Sequence, residues 1–215
     1  MAFSYVGVSP NQTVKNTGVL SLDDLNNLES TGELGGSLEL IQEITANGSA
    51  LNLDFTNILE NKYDKHLLIL KGIFFAGTNK LPRMRLSNDG GSSFETTTNY
   101  MEAYQSMIVS TFTEVRNHQT YFNLMSNVGD EATEVGNSYV HLSGLGNSST
   151  FSYLNWHSSG MTSGGTYSTT TFGGGVYRVA ETINAIRIFE ATASHNISGT
   201  ATLFGVKKLW VVWDF

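Results

Sequence analysis

From Ser37 onward apolar and polar residues alternate with a period of two, the pattern of strands that bury one face. Leu38 and Leu40, then Leu51, Leu53 and Phe55, flank Ala46-Asn47-Gly48-Ser49, and this spacing predicts a hairpin turning at the Asn-Gly pair. Tyr63 to Phe75 is a longer apolar run that predicts a central strand buried on both faces. Leu81 to Leu86 predicts a strand carrying Arg83 and Arg85, with Pro82 at its start or on an edge. Further strands are expected over residues 104–112, 119–124, 138–142, 150–156, 176–180, 185–191, 200–206 and 209–213, separated by Gly-, Asn- and Ser-rich turns. Many short strands and no long helical window predict an all-β fold, an antiparallel β-sandwich or jelly roll over residues 37–215. Local pattern alone leaves sandwich and jelly roll both open.

Residues 1–36 follow a different pattern. Tyr5, Val6, Gly7 and Pro10 lie in an extended, Gly- and Pro-punctuated stretch with too few apolar positions for a core of its own, which predicts an N-terminal arm. Within it Ser21 and Asp24 have capping-box spacing, and Leu22, Leu25 and Leu28 recur every three residues, so a short helix is expected there.

Composition then narrows the classes. Hydrophobic residues at 40% and aromatics at 11% supply a full core and argue against disorder. Charged residues make only 14% of the 215, against about 25% in ordinary soluble domains, so Ser, Thr and Asn must cover much of the surface. A net charge of -7 with 12 dispersed Lys and Arg predicts no nucleic-acid partner. No apolar run reaches the length of a bilayer span, and Met1-Ala2-Phe3-Ser4-Tyr5 has neither a basic nor an apolar leader segment, so neither membrane insertion nor a secretory signal is expected. Without cysteine the chain has no disulfide, thiol nucleophile or thiolate metal site.

Candidate chemistry is sparse. Ser87-Asn88-Asp89-Gly90-Gly91-Ser92-Ser93-Phe94 resembles the Asp-box of sialidases and related β-proteins. The motif predicts a structural turn: Asp89 accepts backbone amides, Gly90 and Gly91 supply positive φ, and Phe94 packs the turn onto the sheet. His66, His118, His141, His157 and His195 lack metal-ligand spacing, and Asp130, Glu131 and Glu134 do not match a calcium loop, so a solvated acidic loop is expected and no metal or cofactor. No Gly-x-Ser-x-Gly elbow has a usable acid and histidine, and Gly173-Gly174-Gly175 has no phosphate-loop sequel and is expected to bend the chain. No catalytic residue is assigned. Phe151, Tyr153, Trp156, Tyr167, Phe172 and Tyr177 flank the Gly/Ser stretch 158–165 and suit either stacking on a sugar ring or packing in a core or subunit contact, with Tyr153, Trp156, Tyr167 and Tyr177 the candidates for such a contact. The apolar end Leu209 to Phe215 fits a core strand or an interface equally.

Tyr5-Val6-Gly7-Val8-Ser9-Pro10 resembles the opening found near the N-terminus of many bacteriophage tail and fibre proteins. The order of a first hairpin from Ser37, a Tyr63-led strand, an arginine-bearing strand at Arg83 to Leu86, an Asp89-Gly90-Gly91 turn and a closing Gly199 to Lys207 strand is similar to a β-rich module of phage virion proteins. The resemblance implies a non-enzymatic structural protein of the virion, assembled in the bacterial cytoplasm. Its arm (Tyr5, Val6, Gly7, Pro10, Leu22, Leu25, Leu28) would dock on other virion proteins, and its sandwich would form a homotrimer and contact host glycans. A stand-alone lectin-like module, a head-decoration protein and a small glycan hydrolase or lyase are the alternatives.

Overall fold

The computed structural model describes residues 37–206 except 110, 191 and 193, together with Asp23, which is helical and exposed. The expected arm with Leu22, Leu25 and Leu28, and the expected strand 209–213, lie outside the described residues.

The described chain forms twelve strands: β1 (Leu38–Ala50), β2 (Asn52–Phe55), β3 (Lys65–Phe75), β4 (Pro82–Ser87), β5 (Tyr100–Ile108), β6 (Thr111–Gln119), β7 (Phe122–Asn123), β8 (Gly136–Ser143), β9 (Ser152–Met161), β10 (Ser168–Tyr177), β11 (Ala185–Glu190) and β12 (Ile197–Val206). The one helical turn among them is a 3₁₀ turn at Ser163–Gly165. Every pairing is antiparallel. Eight strands form a sheet in the order β1-β12-β3-β8-β9-β10-β5-β6, and four form a second in the order β2-β11-β4-β7. Leu53, Phe55, Met84, Leu86, Ile186 and Ile188 of the smaller sheet share one apolar cluster with Leu68, Leu70, Ile73, Val140, Leu154 and Leu203 of the larger. Alternating side chains from two facing sheets make a β-sandwich.

Three local expectations are corrected. The Ala46 to Ser49 stretch is not a hairpin turn: β1 runs through it, pairing Ala46 with Gly199 and Asn47 with Ser198, and a bulge with Gly48 at φ 84° precedes Ala50. After Leu51 the chain enters the other sheet as β2. β3 is central but buried on one face only, because nothing among the described residues covers the outer side of the large sheet. Gly173 to Gly175 lie inside β10 rather than at a bend. A Cβ at Gly173 would stand 2.3 Å from Tyr104 Cβ, and one at Gly175 2.7 Å from Phe122 Cε1, so these two glycines admit core aromatics against the strand.

Where the small sheet ends, the irregular stretch after β7 crosses the inner face of the large one. Inward hydroxyls there supply its partners: Ser126 N donates to Thr171 Oγ1 (3.1 Å) and Thr169 Oγ1 donates to the Asn127 carbonyl (3.5 Å). Buried Thr169 and Thr171 of β10 thus give this non-strand segment backbone partners where it packs over the sheet.

Candidate functional site

Antiparallel register lines up side chains in rows across the outer face of the large sheet. One row reads His141, Asn155, Gly174, Ala103, Arg116 across β8, β9, β10, β5 and β6. Its two central positions are the smallest residues available, and the Asn155 amide lies beside Gly174, 3.0 Å from where a Cβ would sit. On one side stands the row Tyr139, His157, Phe172, Gln105, Glu114, and on the other Ser143, Tyr153, Val176, Met101, His118. Large side chains flanking a line of small ones make a groove that runs across the strands. Depressions of about 350, 600 and 590 Å³ adjoin one another along it.

The walls are aromatic and polar together. Tyr139 is 46% exposed, Tyr153 48% and Phe172 38%. Tyr139 hydroxyl and His157 Nδ1 are 3.2 Å apart, and the His157 ring meets Tyr139 and Phe172 edge-on at 5.6 and 6.3 Å. Gln105 Nε2 donates to Glu114 Oε1 at 3.1 Å on the far rim. Two carboxylates approach the groove. Glu114 is on the rim, and Glu102 turns inward with its oxygens bonded by the Asn123 amide and side chain, where burial raises its pKa above the ordinary carboxylate value.

Of the aromatics singled out in the sequence, Tyr153 and Phe172 stand on these walls. Trp156 and Tyr177 point inward and are buried, Trp156 5.9 Å from the Tyr104 ring and Tyr177 5.1 Å from Tyr100. Tyr167 is exposed in the loop after the 3₁₀ turn. Trp156 and Tyr177 thus take the core alternative, while Tyr153 and Tyr167 stay exposed. Tyr139, His141, Asn155 and Gly174 were missed, and only the pairing register links them.

In the turn after β4, Ser93 N and Ser93 Oγ donate to the two Asp89 oxygens (2.9 and 2.6 Å), and Ser87 Oγ donates to Asp89 Oδ1 (2.7 Å). These donors hold the Asp89 pKa down at about 2. Gly90 and Gly91 have φ of 74° and 86°, and Phe94 lies beneath the Arg187 guanidinium at 4.1 Å. In the 127–137 loop Glu131 is exposed, but Glu134 is buried against Gly129 and Asp130 accepts from Ser163 Oγ at 2.6 Å, so the acidic loop is only partly solvated. No group of three His, Asp or Glu residues among the described residues could hold a metal ion.

Ser194, His195 and Glu190 meet near the end of β11. Both Ser194 Oγ (3.2 Å) and Glu190 Oε2 (3.1 Å) contact the same ring atom, His195 Nδ1, so the imidazole cannot relay a proton between them. No known protein family, curated protein or solved structure matches the chain.

Proposed function

We propose that the chain is a non-enzymatic structural protein of a bacteriophage particle whose β-sandwich holds a host-surface glycan in the groove across the large sheet. The observation that carries the glycan reading is the low Asn155–Gly174–Ala103 row, with the exposed rings of Tyr139 and Phe172 in the row on one side and that of Tyr153 in the row on the other. Sugar rings present apolar faces that stack on aromatics and hydroxyls that bond Asn, Gln and His, and a groove open along its length accepts a chain rather than a single sugar. Glu114 and the inward, engaged Glu102 do not form the pair of carboxylates across a bound sugar that hydrolysis uses, which supports a binding role.

The virion setting rests on the resemblance of the Tyr5 to Pro10 opening and of the strand order that follows Ser37. Exposed Met107, Val109 and Phe112 at the β5-β6 hairpin favour self-association, and a homotrimer fits that need. A glycan array probed with wild type, Phe172→Ala and Gly174→Leu tests the site. Wild type is expected to retain an oligosaccharide that both variants lose by at least tenfold, and undiminished retention by both ends the groove reading. Deletion of residues before Gly36 should abolish incorporation into particles, and sedimentation should give three chains of 23.5 kDa. Release of reducing ends from host polysaccharide by the purified protein would contradict the non-enzymatic assignment.

A further inference from the structure

The outer face of the small sheet carries a second candidate, built on different residues. Arg83 and Arg85 are two apart in β4 and so share a face, and Arg85 stands directly opposite Arg187 of β11. Each guanidinium lies on a ring: Arg83 on Tyr121 at 3.9 Å, Arg85 on Phe189 at 4.6 Å, Arg187 on Phe94 at 4.1 Å. Stacking fixes the planes of the three cations and leaves their edges along the sheet surface.

The neutralisation is incomplete. Arg187 spends Nε and Nη2 on the two oxygens of Asp54, at 2.7 and 2.6 Å. Arg85 gives Nε and Nη2 to the Thr120 carbonyl and hydroxyl, which carry no charge. Arg83 gives Nε to Asn123 Oδ1 at 3.1 Å, and that amide in turn bonds the buried Glu102. Three cations face one directly bonded carboxylate in a chain whose net charge is -7. Like charges set directly opposite on neighbouring strands repel. Burial pushes the Arg85 pKa down, and Arg187 and Arg83 push it the same way.

We propose that this face binds an oxyanion group, carboxylate or sulfate, of an acidic polysaccharide, held by the unspent Nη donors of Arg83 and Arg85. Guanidinium forks bond such groups in two parallel contacts, and planes already fixed by stacking lose little freedom on binding. Single-stranded nucleic acid fits poorly, because base stacking needs free ring faces and these three are covered.

Labelled polygalacturonate fragments titrated by fluorescence anisotropy at low salt test this. Binding to wild type is expected, with competition by inorganic sulfate, at least fivefold weakening in Arg83→Gln and in Arg85→Gln, and no change in Lys71→Gln, which alters charge equally on the other sheet. Melting curves confirm folding of each variant; should Arg85→Gln unfold, Arg83→Gln carries the comparison. No binding to wild type, equal binding to Arg83→Gln, equal loss in Lys71→Gln, or oligodeoxythymidine binding as tightly as polygalacturonate each overturns the proposal. Sulfate binding without polymer binding overturns the polysaccharide assignment. Phe172→Ala should leave the titration unchanged, which separates failure here from failure of the groove.

Discussion

On the eight-stranded sheet the rings of Tyr139, Tyr153 and Phe172 stand open beside a line of small residues, whereas at the four-stranded sheet Phe189 of β11 and the non-strand residues Phe94 and Tyr121 lie under arginines. Residue type is the same on both outer faces; the cross-strand neighbour differs. Register sets Gly174 beside Asn155 and Ala103, which leaves room between the walls, and sets Arg85 against Arg187, which closes the surface over its rings. An aromatic on an exposed sheet is therefore left open or covered according to what its neighbours place beside it.

The strongest way to break this comparison is to test the sidedness on which it rests. Trp156→Ala should cost about 3–5 kcal/mol in chemical denaturation, as a large buried side chain does, while His157→Ala on the outer face should stay within about 0.5 kcal/mol. Equal costs would mean that β9 does not divide core from surface.

Next in size are the glycines of β10. Gly175→Ala places a Cβ 2.7 Å from the Phe122 ring and should cost about 1–3 kcal/mol. Gly174→Ala meets the movable Asn155 amide at 3.0 Å and the Leu154 carbonyl only at an ordinary 3.4 Å, and should be near neutral, within about 0.5 kcal/mol. Paired melts of the two variants check the difference.

Arg187→Ala should cost about 1 kcal/mol, because it uncovers Phe94 and strips Asp54 of its partner in a pair that is roughly 30% exposed and partly screened. Phe172→Ala, by contrast, should abolish groove binding while shifting stability by less than about 0.5 kcal/mol. Isothermal titration beside denaturant curves separates the two behaviours.

The smallest effect is on pH. His66 is buried with Nε2–H donating to the Ile58 carbonyl at 2.8 Å, and burial lowers its pKa. The unfolded chain then binds the proton more readily, so this stability is present above about pH 6.5 and is lost as pH falls below that value. Glu102 acts with opposite sign, its raised pKa favouring the fold as pH falls toward the ordinary carboxylate range. The wild-type melting temperature minus that of His66→Gln should therefore shrink between pH 7.5 and pH 5.5; a constant difference would exclude His66 as the titrating group.

Strands expected at 138–142 and 200–206 lie inside β8 and β12, because their alternation is long and uninterrupted. The expected strand 104–112 instead straddles the β5-β6 turn at Val109, whose φ of 58° is a conformation that a β-branched residue rarely adopts and that no local rule foretells. The Asn47-Gly48 pair is a hairpin signal by itself, but β1 pairs with β12, far along the chain, and the pair becomes a bulge. Half of the groove was hidden for the same reason: His141, Asn155, Gly174 and Ala103 are unremarkable until four pairings set them in one row.

By itself the sequence determined the all-β class and the Ser87 to Phe94 stretch as a turn candidate, since a period of two and short-range turn chemistry act between residues a few positions apart. Only the tertiary structure decided which face of each strand is core, that Trp156 and Tyr177 are buried while Tyr153 is not, and which residues share the groove. Alternation says that neighbouring side chains point to opposite sides, but which side meets another sheet depends on long-range pairing, which local sequence does not encode.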